Sequence, residues 1–417
     1  MIAKVIWKNE FRCMMQRVLK NKWPETWVMG MLVLLFTGLL LSRALVSFAS
    51  VLMVVPFLFH YRQVRVDEKK LLAIFLLLLP VVLSVSWSDN KQLWWNSVSV
   101  KLPLVTMLLG ISAVSLSVKQ WTQLVWLYCI AVVAGCGWSM LQYASETTAI
   151  NAAYLKAKTL PTPTDNDHIR FSWMVVVAIV FGWQSMLREK KTGLKILLMA
   201  LLSFLVIYLH ILAAKTGLVC FYTGCLVYLL HVMLIQKKWK TGVGLLVVAV
   251  TIGFTCYQTI PTLRNRMQYV IYDFSNYSQG NLLPGYTDAS RVLSIKAGYA
   301  ITKENSLYGV GFGDMLGKVN QWHQANHPGS LAYERFLPAN EWLVYGTGSG
   351  LPGLLCFTAG FCLLLYSTTS KNALSIALTV LSVIPFLIDD TLEGQYGVVL
   401  LAFIAFFGQQ KLTGTPA

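Results

Sequence analysis

Charged residues are scarce in this sequence and make up only 12% of its 417 residues. A soluble domain usually carries about twice that fraction, so a chain built of ordinary soluble domains is excluded. Hydrophobic residues make up 56% of the chain and occur mostly in long runs. Together these features predict an all-α polytopic membrane protein that lies in a lipid bilayer.

The sequence also lacks cysteines spaced as in a metal or redox motif. Its eight cysteines are scattered, and all but Cys13 lie in apolar stretches. Since there is no CxxC pair and no cluster of Cys with His, the pattern predicts neither a zinc site nor a disulfide framework. We therefore expect no metal and no cofactor.

Acidic residues are too few to balance the basic ones, and the formal net charge is +16. In a soluble protein such a charge would suggest nucleic acid, but the sequence has no basic segment with interleaved aromatic residues, so no nucleic-acid partner is expected. The basic residues form short clusters between apolar runs, which is the pattern that orients membrane spans.

Apolar runs long enough to cross a bilayer, which needs roughly 20 residues, predict about twelve transmembrane helices. Nine fall in residues 25–257 and three in residues 342–409. The predicted spans are 26–41, 44–59, 71–87, 102–117, 121–144, 171–187, 196–213, 217–235, 241–257, 342–366, 373–388 and 396–409.

The basic clusters predict that both termini are cytoplasmic, since more than half of the 34 Lys and Arg residues then lie in short inside segments. Residues 1–24 are expected to be a basic segment on the cytoplasmic face rather than a cleaved signal peptide. Residues 410–417 are expected to be a cytoplasmic tail. Residues 258–341 are predicted to form a large, mainly helical loop domain on the outer side, and long loops usually carry function.

The predicted spans hold almost no ionisable residues, which argues against an ion-coupled transporter. Polar residues gather at the outer ends of the helices instead. This layout favours an enzyme that works at the membrane surface on a lipid-anchored substrate.

Two basic residues near the outer ends of helices are candidates for binding an anion. Lys215 lies between two apolar spans, where a lysine either snorkels to water or contacts an anion. Arg291 follows Asp288 and Ser290, either of which can cap a helix that begins there. An arginine in the first turn of a helix suits a phosphate, but a surface arginine is the simpler interpretation.

Gly309, Gly311 and Gly313 form a run that is similar to a nucleotide-binding loop only in its letters, because no strand precedes it and no βαβ unit follows. We predict a tight turn there. His323 and His327 have no visible acidic partner and are interpreted as ordinary loop histidines. An acidic cluster between the last two spans is interpreted as a rim facing water, and its members are Asp389, Asp390, Glu393 and Gln395.

Taken in order, these residues resemble the O-antigen ligase and polymerase superfamily of bacterial envelope glycosyltransferases. The resemblance covers most of the chain, including the predicted spans and the large loop that precedes the last three spans. Its landmarks are Ala214-Lys215-Thr216-Gly217, Ser290-Arg291, the run from Leu307 to Gly313, and Asn340-Glu341 followed by Gly350 and Gly353. The resemblance implies a GT-C-like fold in the bacterial inner membrane, with the loop in the periplasm.

The resemblance further implies a metal-independent transfer at the periplasmic face. The donor would be a glycan on a polyprenyl diphosphate lipid, and the acceptor a hydroxyl of lipid A–core or of another glycan. Family members have arginines at the positions of Lys215 and Arg291, and both positions are expected to bind the donor diphosphate. Lysine is a point charge rather than a planar fork, so the first contact is altered.

The chain departs from the family at Ala339, where family members have a histidine directly before the position of Asn340. Glu341 could replace that base, or His323 or His327 could fold in. Alternatively, base assistance is dispensable because a neutralised lipid diphosphate leaves easily, or this branch has a changed acceptor or no activity. We take Glu341 and Asn340 as the candidate catalytic residues.

Four functions remain open at this point. A ligase moves a finished glycan to its acceptor, whereas a polymerase extends the glycan on its carrier. A permease or flippase would need charges in the membrane interior, where this sequence has few. A non-catalytic scaffold is supported mainly by the missing histidine.

Overall fold

A computed structural model describes residues 23–163, 167–281 and 288–409 of the chain. Its regular structure is helical, and no strand occurs in these ranges. The predicted cytoplasmic segment 1–24 lies outside the described residues apart from Trp23 and Pro24, and the predicted tail 410–417 lies wholly outside them.

We number the α-helices of the described ranges in chain order. The first nine are α1 (Trp23–Leu41), α2 (Arg43–Leu52), α3 (Val55–His60), α4 (Glu68–Leu83), α5 (Lys91–Lys101), α6 (Pro103–Ser112), α7 (Val118–Ser145), α8 (Thr147–Ala153) and α9 (His168–Arg188). The next nine are α10 (Thr192–Leu212), α11 (Lys215–Leu230), α12 (Trp239–Thr259), α13 (Pro261–Ser278), α14 (Asp288–Glu304), α15 (Met315–Asn326), α16 (Glu341–Thr368), α17 (Ala373–Ile388) and α18 (Gln395–Phe403).

Nine helical stretches in the described ranges are long and apolar enough to cross a membrane, which is consistent with an all-α membrane protein. They comprise α1, α7, α9, α10, α12 and α16, together with Arg43–His60, Glu68–Ser86 and Lys215–Ile235. The helices Ala373–Ile388 and Gln395–Gly408 are apolar but shorter. The predicted span 102–117 contains only the ten-residue α6, so the count of twelve stays a prediction.

Helix α16 packs closely along α4 and connects the centre of the fold to the site described below. Tyr345 of α16 donates a hydrogen bond to Leu77 O at 2.9 Å, and Ser349 donates to Pro80 O at 3.0 Å. A side chain at Gly360 would come within 2.8 Å of Ala73 O, so glycine permits the close approach of the two helices.

Helix α16 bends at Ser349 and Gly350, where Gly350 has a φ of 65°. Pro352 cannot donate to Gly348 O, because proline has no N–H. The N–H of Leu351 donates to Ser306 O instead of to Thr347 O. Two carbonyl groups of the helix, those of residues 347 and 348, are therefore free to accept other donors.

The predicted glycine turn supplies those donors. Val310 N donates to the carbonyl of residue 347 at 2.8 Å, and Gly311 N donates to that of residue 348 at 2.9 Å. Gly309 and Gly311 have φ values of 67° and 89°, a region that favours glycine. A Cβ at Gly311 would also lie 2.4 Å from Ser88 Oγ. The glycine turn thus holds the bend of α16 against the residues that follow α4.

One end of the helix bundle, which we call the loop end, brings together segments that are far apart in sequence. Thr262 at the start of α13 donates to Ile211 O near the end of α10 at 2.6 Å. Asn340, just before α16, donates to Leu387 O near the end of α17 at 3.0 Å. The first residues of α9, α11 and α14 carry the charged side chains that meet at this end.

Candidate functional site

Nine charged side chains form a continuous cluster at the loop end, which we call the loop-end cluster. Hydrogen bonds, ion pairs and electrostatic interactions link its members to one another. The basic members are Arg170, Lys215, Arg266 and Arg291, and the acidic members are Asp167, Asp273, Asp288, Asp389 and Asp390.

Lys215 is the first residue of α11, and it follows Ala213, which ends α10 with a φ of 47°. This left-handed residue reverses the chain, so that the lysine lies at the helix end rather than inside the apolar bundle. Its Nζ pairs with both carboxylate oxygens of Asp288. The side chain is 37% exposed, so Lys215 forms an outer part of the cluster.

Asp273 of α13 caps the first turn of α14. Its Oδ2 accepts hydrogen bonds from Asp288 N at 2.8 Å and from Ala289 N at 3.2 Å. Burial raises the pKa of the Asp273 carboxyl, and the two backbone hydrogen bonds oppose that rise. This cap fixes the start of α14, and with it the positions of Asp288 and Arg291.

Arg266, also on α13, is the most unusual member of the cluster. Its side chain is 7% exposed, yet its Nε and Nη1 have no hydrogen-bond partner among the described residues. Burial lowers the pKa of Arg266, and the charge of Asp288 opposes this effect. Because buried polar groups are nearly always hydrogen-bonded, two unused guanidinium donors indicate a position prepared for an acceptor.

Arg291 extends the cluster towards α17. Its Nη1 donates to Ile388 O at 2.9 Å and pairs with Asp389 Oδ1 at 3.3 Å. The side chain is 33% exposed, so part of the planar fork remains open to a further partner.

Arg170, in the first turn of α9, joins three aspartates. Its guanidinium pairs with Asp167 at 3.1 Å, with Asp389 at 3.2 Å and with Asp390 at 3.4 Å. Asp389 is only 7% exposed, so the interpretation of a water-facing acidic rim is wrong for this residue. The aspartates bind the arginines of the cluster.

The carboxyl of Asp390 has a strongly raised pKa. Burial is the main cause and raises the pKa of its carboxyl from 3.8 to about 7. The neighbouring charges of Asp389 and Glu393 raise it further, whereas those of Arg170 and Arg291 lower it. A carboxyl group with a pKa near neutrality can both accept and release a proton at physiological pH.

Asn340 and Glu341 begin α16 beside the cluster. Asn340 uses its Oδ1 to cap the helix by accepting from Leu343 N at 3.2 Å. Glu341 is completely buried, and its Oε2 accepts a hydrogen bond from Leu392 N at 2.9 Å. Its Oε1 has no hydrogen-bond partner within the described part of the chain.

The structure places Lys215 and Arg291 in the loop-end cluster, whereas the two histidines lie elsewhere. His323 is buried on α15, where its ring packs against those of Trp322 and His327. Burial lowers the pKa of His323, and the nearby charges are those of His327, Arg335 and Glu334. None of these residues belongs to the loop-end cluster.

Sequence reasoning missed Arg170, Arg266 and a buried ion pair between Lys101 and Glu393, whose Nζ and Oε1 lie 2.6 Å apart. Arg266 was one of several basic residues in the large loop, and nothing in its neighbours marked it out. Arg170 had a local signal, because it follows Asp167 by three residues and starts an apolar helix. Lys101 had a weaker signal as a lone lysine before an apolar run.

The arrangement can hold an anion with several charges and can take up a proton next to it. Lys215, Arg266 and Arg291 present exposed or unused donors, and Asp390 titrates near neutral pH. No protein-family model matches this chain, and no curated protein is significantly similar to it in sequence.

Proposed function

We propose that this protein is a membrane glycosyltransferase that moves a glycan from a polyprenyl diphosphate lipid to an acceptor hydroxyl. The acceptor is lipid A–core or a similar glycan, as in an O-antigen ligase. The reaction takes place at the loop end, which faces the periplasm in the bacterial inner membrane, and both termini lie in the cytoplasm. The alternative is a polymerase that extends the carrier-linked chain.

The observation that carries this proposal is the buried guanidinium of Arg266, with two unused donors beside Lys215 and Arg291. Three cations at the loop end of a bundle of apolar helices suit a diphosphate whose lipid tail remains in the bilayer. Arginine binds phosphate oxygens through two parallel N–H groups, and such charge-assisted hydrogen bonds are the stronger kind.

In the structure Lys215 pairs with Asp288. In the proposed complex the donor diphosphate takes the place of this carboxylate on Lys215 and adds contacts to Arg266 and Arg291. The exchange costs little, because an ion pair that is partly exposed to solvent is worth about 0–1 kcal/mol.

In the proposed reaction, the acceptor oxygen attacks the anomeric carbon of the donor glycan. The bond between that carbon and the diphosphate oxygen breaks, and the bonding electron pair leaves with the lipid diphosphate. The hydroxyl proton passes to the carboxylate of Asp390. The three cations stabilise the charge that develops on the leaving diphosphate, which is the largest contribution that a fixed site offers.

The role of Glu341 as the base stays a prediction. In that role, the acceptor hydroxyl would have to reach a carboxylate that is completely buried in this conformation. Asp390 fits the role better because it is partly exposed, pairs with Arg170 and has a pKa of about 7. We therefore assign proton uptake to Asp390, and we assign Asn340 to the fixing of α16 against α17.

Binding of polyprenyl diphosphate to the purified protein in lipid nanodiscs tests the proposed site. Arg266→Gln retains much of the side-chain volume but removes the charge. A hydrogen bond to a charged group is worth about 1.5–3 kcal/mol, so we expect a roughly ten- to hundredfold higher Kd.

Arg264→Ala is the matched control, because Arg264 lies two residues away on the same helix and is exposed. It should bind the diphosphate like the wild type, and polyprenyl monophosphate should bind more weakly to both proteins. Equal diphosphate affinity for Arg266→Gln and the wild type would refute the site.

A gel of envelope glycans from a deletion strain separates the two enzyme functions. Long chains that remain on the lipid carrier, together with bare lipid A–core, indicate a ligase. Single repeats on either fraction indicate a polymerase. An unchanged pattern in both fractions would contradict both functions for these glycans.

A further inference from the structure

The six residues 389–394, which connect α17 to α18, contact two different sets of charges. Their outer part carries Asp389 and Asp390, which bind Arg170 and Arg291. Their inner part carries Glu393, which points away from this cluster. The side chain of Glu393 pairs instead with the completely buried Lys101 at the end of α5, at 2.6 Å.

Further hydrogen bonds complete this inner contact. Lys101 Nζ donates to Ser97 O at 3.2 Å and to Ser97 Oγ at 3.0 Å, and Ser97 Oγ donates to Glu393 Oε2 at 2.8 Å. The preceding residue, Leu392, donates its N–H to the buried carboxylate of Glu341. We call Lys101, Glu393 and Glu341 the buried clamp.

Stability alone does not account for the buried clamp. Removing charges from water is costly, and a buried ion pair can often be replaced by apolar residues with no loss of stability. What the clamp does fix is position, because two consecutive residues of the connection are held by α5 and α16. Glu393 N also donates to Asp390 O at 3.2 Å, so the clamp is joined directly to the outer part.

Close packing on the outer side leaves the connection little freedom. A Cβ at Gly394 would lie 3.2 Å from Nη2 of Arg170, so the chain passes directly against this guanidinium. Movement of the connection by one ångström would therefore change both the Arg170 contacts and the direction of the Asp390 carboxylate. A displacement of that size can reduce turnover about a hundredfold.

We infer that Lys101 and Glu393, together with Glu341, are positioning residues that hold Asp389 and Asp390 in the geometry needed for transfer. The inference rests on the proposed glycosyltransferase function. It assigns no contact with substrate to these three residues.

The test compares Lys101→Met with the double variant Lys101→Met/Glu393→Met, using purified protein in vesicles. The single variant leaves Glu393 buried without its partner and should lower the melting temperature. The double variant removes both charges and should recover the melting temperature. Its kcat should remain ten- to a hundredfold below that of the wild type, with the donor KM nearly unchanged, because Lys215, Arg266 and Arg291 are untouched.

Recovery of both melting temperature and kcat in the double variant would overturn the inference. If the double variant fails to fold, Glu393→Gln decides, because glutamine retains hydrogen bonding to Lys101 and Ser97. Loss of this charge should lower the pKa of Asp390 and move the acidic limb of the kcat profile to lower pH. An unmoved limb together with a wild-type kcat would overturn the inference.

The charged groups around Asp390 must be considered when that profile is interpreted. They are Asp389 and Glu393 on its own connection, Arg170 on α9, Arg291 on α14 and Glu341 on α16.

Tyr128→Phe is the control for the loss of a buried polar contact. The hydroxyl of Tyr128 donates to Met174 O at 2.9 Å inside the bundle, and this variant should keep the wild-type kcat. Absence of transfer by the wild type itself would overturn the proposed function, and the inference with it. An active wild type matched by an equally active double variant would overturn the inference alone.

Discussion

The assignment of Asp390 as proton acceptor makes a quantitative prediction about pH. Its pKa of about 7 means that roughly half of the molecules carry the carboxylate at pH 7. The fraction falls to about a tenth at pH 6 and about a hundredth at pH 5. Since only the carboxylate can accept the hydroxyl proton, kcat should rise with pH and level off above about pH 8.

The charges near Asp390 determine the pH range in which kcat rises, which we call the acidic limb. Burial sets the raised pKa of Asp390, and the charge of Asp389 is the next cause. Asp389→Asn should therefore move the acidic limb to lower pH. Asp390→Asn should reduce kcat about 10²–10⁴-fold, which is the usual contribution of a positioned base, and remove the limb altogether.

Transfer from a polyprenyl diphosphate glycan to its acceptor, measured in vesicles from pH 5 to pH 9 with saturating donor, is the appropriate assay. Donor binding measured in parallel separates loss of affinity from loss of proton uptake. An Asp390→Asn protein that keeps the wild-type limb and turnover would refute the assignment.

Stability should respond to Asp390 in the opposite direction from activity. The carboxyl binds its proton more tightly in the folded state, because its pKa is raised from 3.8 to about 7. Between these two values the folded state holds more protons, so the free energy of unfolding falls as pH rises. Asp390→Asn should therefore raise the melting temperature at pH 8 while it lowers kcat, and an unchanged melting temperature would contradict the raised pKa of this carboxyl.

Two further predictions concern the donor contacts. Arg291→Ala should abolish transfer at normal abundance, and Lys215→Ala should weaken it strongly, whereas Lys215→Arg should be tolerated because it retains the charge; normal activity of Arg291→Ala would contradict the diphosphate assignment. Asp288→Asn removes the carboxylate that competes for Lys215 and should lower the donor KM up to about fivefold, the equivalent of about 1 kcal/mol. A higher KM would mean that Asp288 positions Lys215 rather than competing with the donor.

The helices of this fold follow largely from its apolar runs, but the number of spans does not. Apolar length marks a helix, yet it cannot tell a spanning helix from a short one buried against its neighbours. Residues 102–117 show the difficulty: Pro103 begins the ten-residue α6, two residues after Lys101, which is buried. The sequence alone does not show that Glu393 is the partner of Lys101. This lysine is therefore interpreted as the boundary of a span.

The site was predictable only where a residue carried a local signal. Lys215 lies between two apolar runs, and Arg291 follows residue types that often cap a helix, so the sequence singled out both as candidates. In the structure, Asp273 caps the helix instead. Arg266 has no such signal, because its importance comes from the packing of α13 against α10 and α14 and from the nearby charge of Asp288. From the sequence alone, Asp389 is interpreted as an acidic residue at the surface. The structure shows that it follows α17 and pairs with Arg170 and Arg291.

Under the proposed function, the same contacts indicate how a carboxylate could serve in place of the histidine that the superfamily resembled by this sequence has at the position of Ala339. Ala339 is buried, and its N–H donates to Ser294 Oγ of α14 at 3.1 Å. The next residue, Asn340, donates to Leu387 O, so the start of α16 lies against the end of α17. Asp390 follows that contact by three residues and pairs with Arg170 of the cluster. Under the proposed function the base is Asp390 rather than a residue at position 339, and Ala339→His should not restore transfer to Asp390→Asn, because position 339 is buried against α14.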